Sequence, residues 1–138
     1  MKRNFLVPAA AVLALLAPAA ARAQGYHWLQ QTWHLKTIYL TGRITTLAHS
    51  SASRGQFLKE ADRVIGLMEN EETHDLVQRF RAYMVARDGA NLDRGWEEYR
   101  VEMIKAMGAV AMAASNTPSK SVFFARFDDL IFVNVKRR

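Results

Sequence analysis

No cysteine occurs anywhere in the 138 residues. That absence excludes a disulfide scaffold, a thiolate zinc site, a CxxCH haem attachment, a cysteine nucleophile and a thiol-anchored lipoprotein. The chain also lacks a glycine-rich phosphate loop and a Gly-x-Ser-x-Gly nucleophile elbow. Proline is scarce, and two of its three copies, Pro8 and Pro18, lie in the first twenty residues. Period-two alternation of apolar and polar residues is missing, so no sheet is expected. What remains is a fold held by an apolar core.

The first 23 residues read as a secretory signal peptide. Lys2 and Arg3 form a basic start, Phe5 to Ala21 is an apolar stretch, and Ala21-Arg22-Ala23 offers the small residues that signal peptidase needs at positions −3 and −1. Two prolines interrupt the stretch, which falls short of the roughly 20 apolar residues of a membrane span. Cleavage after Ala23 leaves residues 24–138, a single domain of ordinary size without a transmembrane segment, placed in the periplasm or the medium.

Charge excludes a nucleic-acid partner. The formal net charge is +6, but Lys2, Arg3 and Arg22 leave with the signal peptide and three more cations are the terminal Lys136-Arg137-Arg138. Between Gln24 and Val135 the signs balance at 13 each, whereas a nucleic-acid interface needs Lys and Arg gathered on one folded surface.

Helical periodicity runs through the rest, and the expected class is all-α: an up-and-down bundle of four helices with a docked C-terminal helical segment. The first helix spans about Tyr26 to His49 and buries Trp33, Leu40, Ile44 and Leu47. Ser53-Arg54-Gly55-Gln56 is a capping box opening a second helix, which buries Phe57, Ala61, Val64, Ile65 and Met68. Asn70 caps a third, whose first turn holds Glu71 and Glu72 at the positive end of the dipole and whose core face is Leu76, Val77, Phe80, Tyr83 and Met84. Asp88-Gly89 stops it through a left-handed glycine, and Asn91 caps a fourth helix with the stripe Leu92, Trp96, Tyr99, Met103, Ala106 and Val110. Thr117-Pro118 opens the last element with proline at a first helical position. Residues 119–135 keep helical spacing at Phe123, Phe127, Leu130 and Ile131 but are rich in strand formers near their end.

Candidate chemistry is thin. His27 and His34, seven apart, share a helix face, and with Met103, Met107 and Met112 they offer imidazole and thioether groups suited to copper or, less readily, to haem. The same methionines beside Trp96 and Tyr99 suit core packing. Glu71-Glu72-Thr73-His74 contains the Glu-x-x-His spacing of di-iron bundles, without the second copy such a centre requires. Glu97 and Glu98 are adjacent and diverge by about 100° on a helix, so they do not form an acid–base pair; Glu98 and Glu102 are the acid–base candidates if the chain is an enzyme. Ser50, Ser51 and Ser53 beside His49 read as loop and cap. No cofactor is expected.

Gly42 in the first helix and Ala106-Met107-Gly108-Ala109 in the fourth suggest close approach of two long helices, or else a groove for a ligand or partner helix. Trp28 and Trp33 are the candidate partner-binding anchors, being aromatic residues of the type that dominates binding hot spots. Trp33 followed by Lys36-Thr-Ile-Tyr39-Leu-Thr-Gly42, together with Trp96-Glu-Glu-Tyr99-Arg100, resembles small exported helical proteins such as the amidase immunity proteins of type VI secretion. The likeness covers about a third of the mature chain. Those proteins commonly carry disulfides, which are absent here, so no site residue is transferred; the resemblance implies only a protein-binding role. The expectation is an exported non-catalytic bundle that binds another macromolecule, the alternative being a small-ligand or metal-binding bundle.

Overall fold

The computed structural model describes residues 31–136, with side chains through Phe132, so the signal peptide, His27 and Trp28 lie outside the described residues. Five helices are present among them: α1 (Thr32–Ser50), α2 (Arg54–Leu67), α3 (His74–Ala90), α4 (Trp96–Ser115) and α5 (Lys120–Lys136). No described residue is in a strand, and the ambiguous last element is helical. Its apolar stripe decides the matter, since Phe123 and Phe127 are fully buried one turn apart.

Helix ends follow local hydrogen bonding more closely than residue preference. Ser53 caps α2 by accepting from the Gln56 backbone N–H at 3.2 Å. The return arm shifts by one residue, because Gln56 Oε1 accepts from the Ala52 N–H at 2.7 Å. Asn70 does not cap α3. Its Oδ1 accepts from the Thr73 N–H at 2.9 Å, closing a turn before the helix, while the Thr73 hydroxyl donates back to the Met68 carbonyl. Glu71 and Glu72 therefore sit in that turn, and Asp75 is the acidic residue of the first helical turn.

Asn91 likewise ends α3 rather than opening α4. Its amide nitrogen donates to the Arg87 carbonyl at 2.8 Å, satisfying an acceptor that the helix end leaves unpaired. Leu92 falls in the connecting turn and is exposed, and α4 starts four residues later behind Gly95. Gly89 stays helical, with no positive φ among the described glycines. Pro118 precedes the cap: Ser119 Oγ accepts from the Val122 N–H at 3.2 Å, placing proline outside α5.

The most extensive helix pairings are α1 with α4 and α3 with α5, both non-consecutive. Arg100 near the start of α4 donates to the His49 carbonyl at the end of α1, 3.3 Å away, so these two run antiparallel. Helix α5 is more than a docked segment, because it carries the central aromatic network. Phe123 stacks on Trp33 of α1 at 5.1 Å between centroids. Phe127 meets the edges of Phe80 and Tyr83 of α3 at 5.2 and 5.6 Å. Aromatic contacts of this kind add stability beyond their buried area.

Gly42 and Gly108 do not form the α1–α4 seam. Both face solvent, and a Cβ on either would meet nothing within 4 Å. The close approach rests instead on buried small residues, Thr37, Thr41 and Ala48 on α1 and Ala106 and Ala114 on α4. Thr37 satisfies its hydroxyl within its own helix, donating to the Trp33 carbonyl at 2.6 Å.

Candidate functional site

Trp33, one of the two anchors expected from sequence, is 6% exposed and packs in the core against Phe123; the other, Trp28, is not among the described residues. His34 is fully buried with its ring edge-on to Trp33 at 5.5 Å. Burial penalises the imidazolium and lowers its pKa to about 4, so the ring is neutral at pH 7. Met103 and Met107 are core residues while Met112 on the same helix is 62% exposed, so the three sulfurs do not converge. Among the described residues, no group of three His, Asp or Glu side chains is placed to hold a metal ion.

The carboxylates expected to carry chemistry are either paired with cations or exposed to solvent. His74 Nδ1 lies 2.5 Å from Glu69 Oε2, a pair that raises the histidine pKa, chiefly through the hydrogen bond. Glu71 and Glu72 are exposed beside it. Glu97 pairs with Arg100. Glu102 sits between Arg87 at 3.8 Å and Lys105 at 3.6 Å, and Glu98 faces solvent. Ser53 is consumed as a cap and Ser51 is buried.

Three helices meet at a polar node that sequence reading did not find. Arg54 at the start of α2 donates twice to Asp88 near the end of α3, at 2.8 and 3.0 Å. The Tyr99 hydroxyl of α4 donates to the same carboxylate at 2.6 Å, and the Arg54 guanidinium lies 5.5 Å over the Tyr99 ring. The arginine hydrogen bonds hold the Asp88 carboxyl below the usual carboxylate range, and burial first and Asp88 second push the Tyr99 phenol up. Bidentate, charge-assisted geometry of this kind fixes orientation. A node with its acid ionised and its phenol protonated holds α2, α3 and α4 in register; it presents no group poised to exchange a proton near pH 7.

Beside this node, α2 and α3 diverge into a cleft of about 350 Å³ floored by Leu58, Ile65 and Met84 and rimmed by Val85, Asp62 and Arg81. Arg81 reaches across the rim, with Nε 3.6 Å from Asp62 and Nη1 4.0 Å from Glu69. Gly66 leaves room beneath it, because a Cβ there would come within 3.1 Å of the guanidinium and press it aside by a few tenths of an ångström. Val85 on the rim is 74% exposed, and Leu67 near the end of α2 is 71% exposed.

A second surface lies on α1 and α4, and a sequence signal marks it. Balanced totals conceal a strong segregation: eleven of the thirteen carboxylates lie between Glu60 and Glu102, none precedes Glu60, and none occurs from 103 to 127. Since α1 packs antiparallel on α4, the fold brings two carboxylate-free stretches side by side. Their outward residues are Tyr39, Gly42, Arg43 and Thr46 on α1 and Lys105, Gly108 and Met112 on α4, with Lys105 reaching back to Glu102. A plot of acidic positions would have shown the gap; that the two gaps become neighbours needed the helix pairing.

No protein-family model, curated protein or solved structure matches the chain.

Proposed function

We propose that the chain is an exported, non-catalytic helical protein that acts by binding another protein, as an immunity or inhibitor protein or an envelope accessory protein does. The observation that carries this reading is the α2–α3 cleft, an apolar floor with an exposed Val85 on a rim of mixed charge. Apolar centre and polar edge is the anatomy of a protein interface, and Asp62 and Arg81 offer both signs to a partner's rim. Export is supported by the basic start, apolar stretch and Ala21-Arg22-Ala23 boundary of the first 23 residues. Trp28, which follows that boundary closely, is a second proposed anchor. The absence of catalysis is supported by Glu102 lying between two cations and Glu98 standing alone in solvent.

A photoreactive side chain at position 85, expressed in the native cells, tests the cleft. One discrete protein adduct should form there and none from position 78, an exposed site on the same helix outside the cleft. No adduct at 85, or equal labelling at 78, contradicts the reading. Intact mass beginning at Gln24 tests export.

A further inference from the structure

We infer that the rim of the α2–α3 cleft carries a pH-dependent latch, in which the charge on His74 decides whether Glu69 shares Arg81 with Asp62. The latch regulates the site proposed above: its consequence for a partner rests on that reading, and its test does not. Four side chains form it. Helices α2 and α3 run antiparallel, with Arg54 at the start of one bonded to Asp88 near the end of the other, so Asp62 on α2 and Glu69 in the turn after it stand opposite Arg81 and His74 on α3. Glu69 Oε2 lies 2.5 Å from His74 Nδ1 and Oε1 lies 4.0 Å from Arg81 Nη1, while Arg81 Nε is 3.6 Å from Asp62. Neither arginine contact is closed. Arg54 and Arg79 hold their carboxylates through paired hydrogen bonds of 2.8 to 3.1 Å, whereas Arg81 stands between two acids without either bond.

Charge on the imidazole tips that balance. Neutral His74 offers Glu69 only a hydrogen bond, and the carboxylate's charge still attracts Arg81; protonated His74 makes a charge-assisted pair, draws Glu69 to itself and leaves Arg81 to close on Asp62. The hydrogen bond and charge of Glu69, with a smaller contribution from Asp75, raise the histidine pKa, so the exchange is centred above the ordinary histidine value. The other charges around this end are exposed or engaged. Glu71 and Glu72 in the turn and Asp75 on α3 face solvent, Arg63 on α2 pairs with Glu60, and from α5 Asp128 holds Arg79 while Lys120 lies over Phe124. With His74 charged, Arg81 masks Asp62. With His74 neutral, Arg81 is shared and Asp62 is the freer acid on the cleft rim, open to a partner's cation.

Side-chain NMR of the purified protein tests the latch without a partner, titrated from about pH 5.5 to about pH 9 so that ordinary carboxylates stay ionised. The Arg81 Nε–Hε signal and the methyl signals of Val85, one turn further along the rim, should shift with the same midpoint as the His74 ring. Arg79 Nε–Hε, held by Asp128, should stay still. In His74→Gln the Arg81 and Val85 signals should remain at their high-pH positions throughout. In Glu69→Gln the His74 ring should still titrate while Arg81 and Val85 no longer follow it, with unchanged circular dichroism in both variants. Signals that do not move in the wild type overturn the proposal. So does movement that persists in His74→Gln, or that survives Glu69→Gln, which would be the direct field of the imidazolium. A motionless rim leaves the protein-binding reading of the cleft standing, and a rim that responds in a chain giving no adduct at position 85 overturns that reading and keeps the latch.

Discussion

His34 and His74 are the same side chain in two regions of the molecule, and they are driven in opposite directions. His34, buried in α1, has its pKa lowered by desolvation to about 4; His74, at the exposed start of α3, has its pKa raised by Glu69. The contrast extends to the surroundings. The α1–α4 seam is packed by apolar and small side chains, whereas the α2–α3 side holds most of the carboxylates and is joined by ion pairs at Arg54–Asp88, Arg81–Asp62 and His74–Glu69. One domain thus joins one helix pair by apolar packing and another by ion pairs beside a mixed-charge cleft. A balanced net charge therefore says little about where the charges act.

The sharpest break in that contrast comes from the packed side. Phe123→Ala removes a fully buried ring that stacks on Trp33, and the loss should be about 3–5 kcal/mol. Denaturant unfolding at low and high salt would check it, and the deficit should be the same in both. A salt-dependent deficit would mean that charge, too, holds this side together.

Acid should separate the two histidines next. His34 has a folded pKa below its unfolded value, so unfolded chains bind the proton first as pH falls. Its contribution is complete above about pH 6.5 and is lost progressively down to about pH 4. At about 1.4 kcal/mol per pH unit this amounts to about 3 kcal/mol. The stability of His34→Leu should fall less steeply over that window than the wild type; parallel slopes would show that the imidazole titrates normally. His74 has the opposite sign: its contribution is present below the unfolded pKa and is lost as pH rises through the raised folded value. In one NMR titration the His34 ring should change near pH 4 and the His74 ring above pH 6.5.

Asp88→Asn should cost about 1–2 kcal/mol, because Arg54 loses a bidentate carboxylate while the Tyr99 hydroxyl keeps an acceptor. Thermal unfolding would measure it. The smallest change is His74→Gln, whose exposed pair with Glu69 should matter only in mild acid and at low salt.

Helical periodicity made most of the fold readable from sequence. The faces of α2 and α3 follow from spacing alone, and every residue from Leu76 to Met84 expected in the core of α3 is buried there. Helix ends were less readable, because Asn70 and Asn91 are as competent in turns and C-terminal closures as in N-caps, and which carbonyl or N–H is left unpaired depends on the neighbouring turn. Gly42 and Gly108 misled for a related reason: a small residue permits close approach but does not dictate which face of the helix will be approached. Of the candidate sites, the Arg54–Asp88–Tyr99 node joins residues far apart in sequence, with no local spacing to announce it. The carboxylate gap was fully visible, yet its meaning depended on α1 lying against α4.

Methyl NMR with the partner captured at position 85 tests the cleft most directly, since Val85 marks the α2–α3 cleft and Met112 an exposed position on α4 outside it. The Val85 methyls should shift on binding while the Met112 methyl keeps its position. A shift at Met112 instead, or at both equally, would contradict the assignment of the cleft as the protein-binding surface.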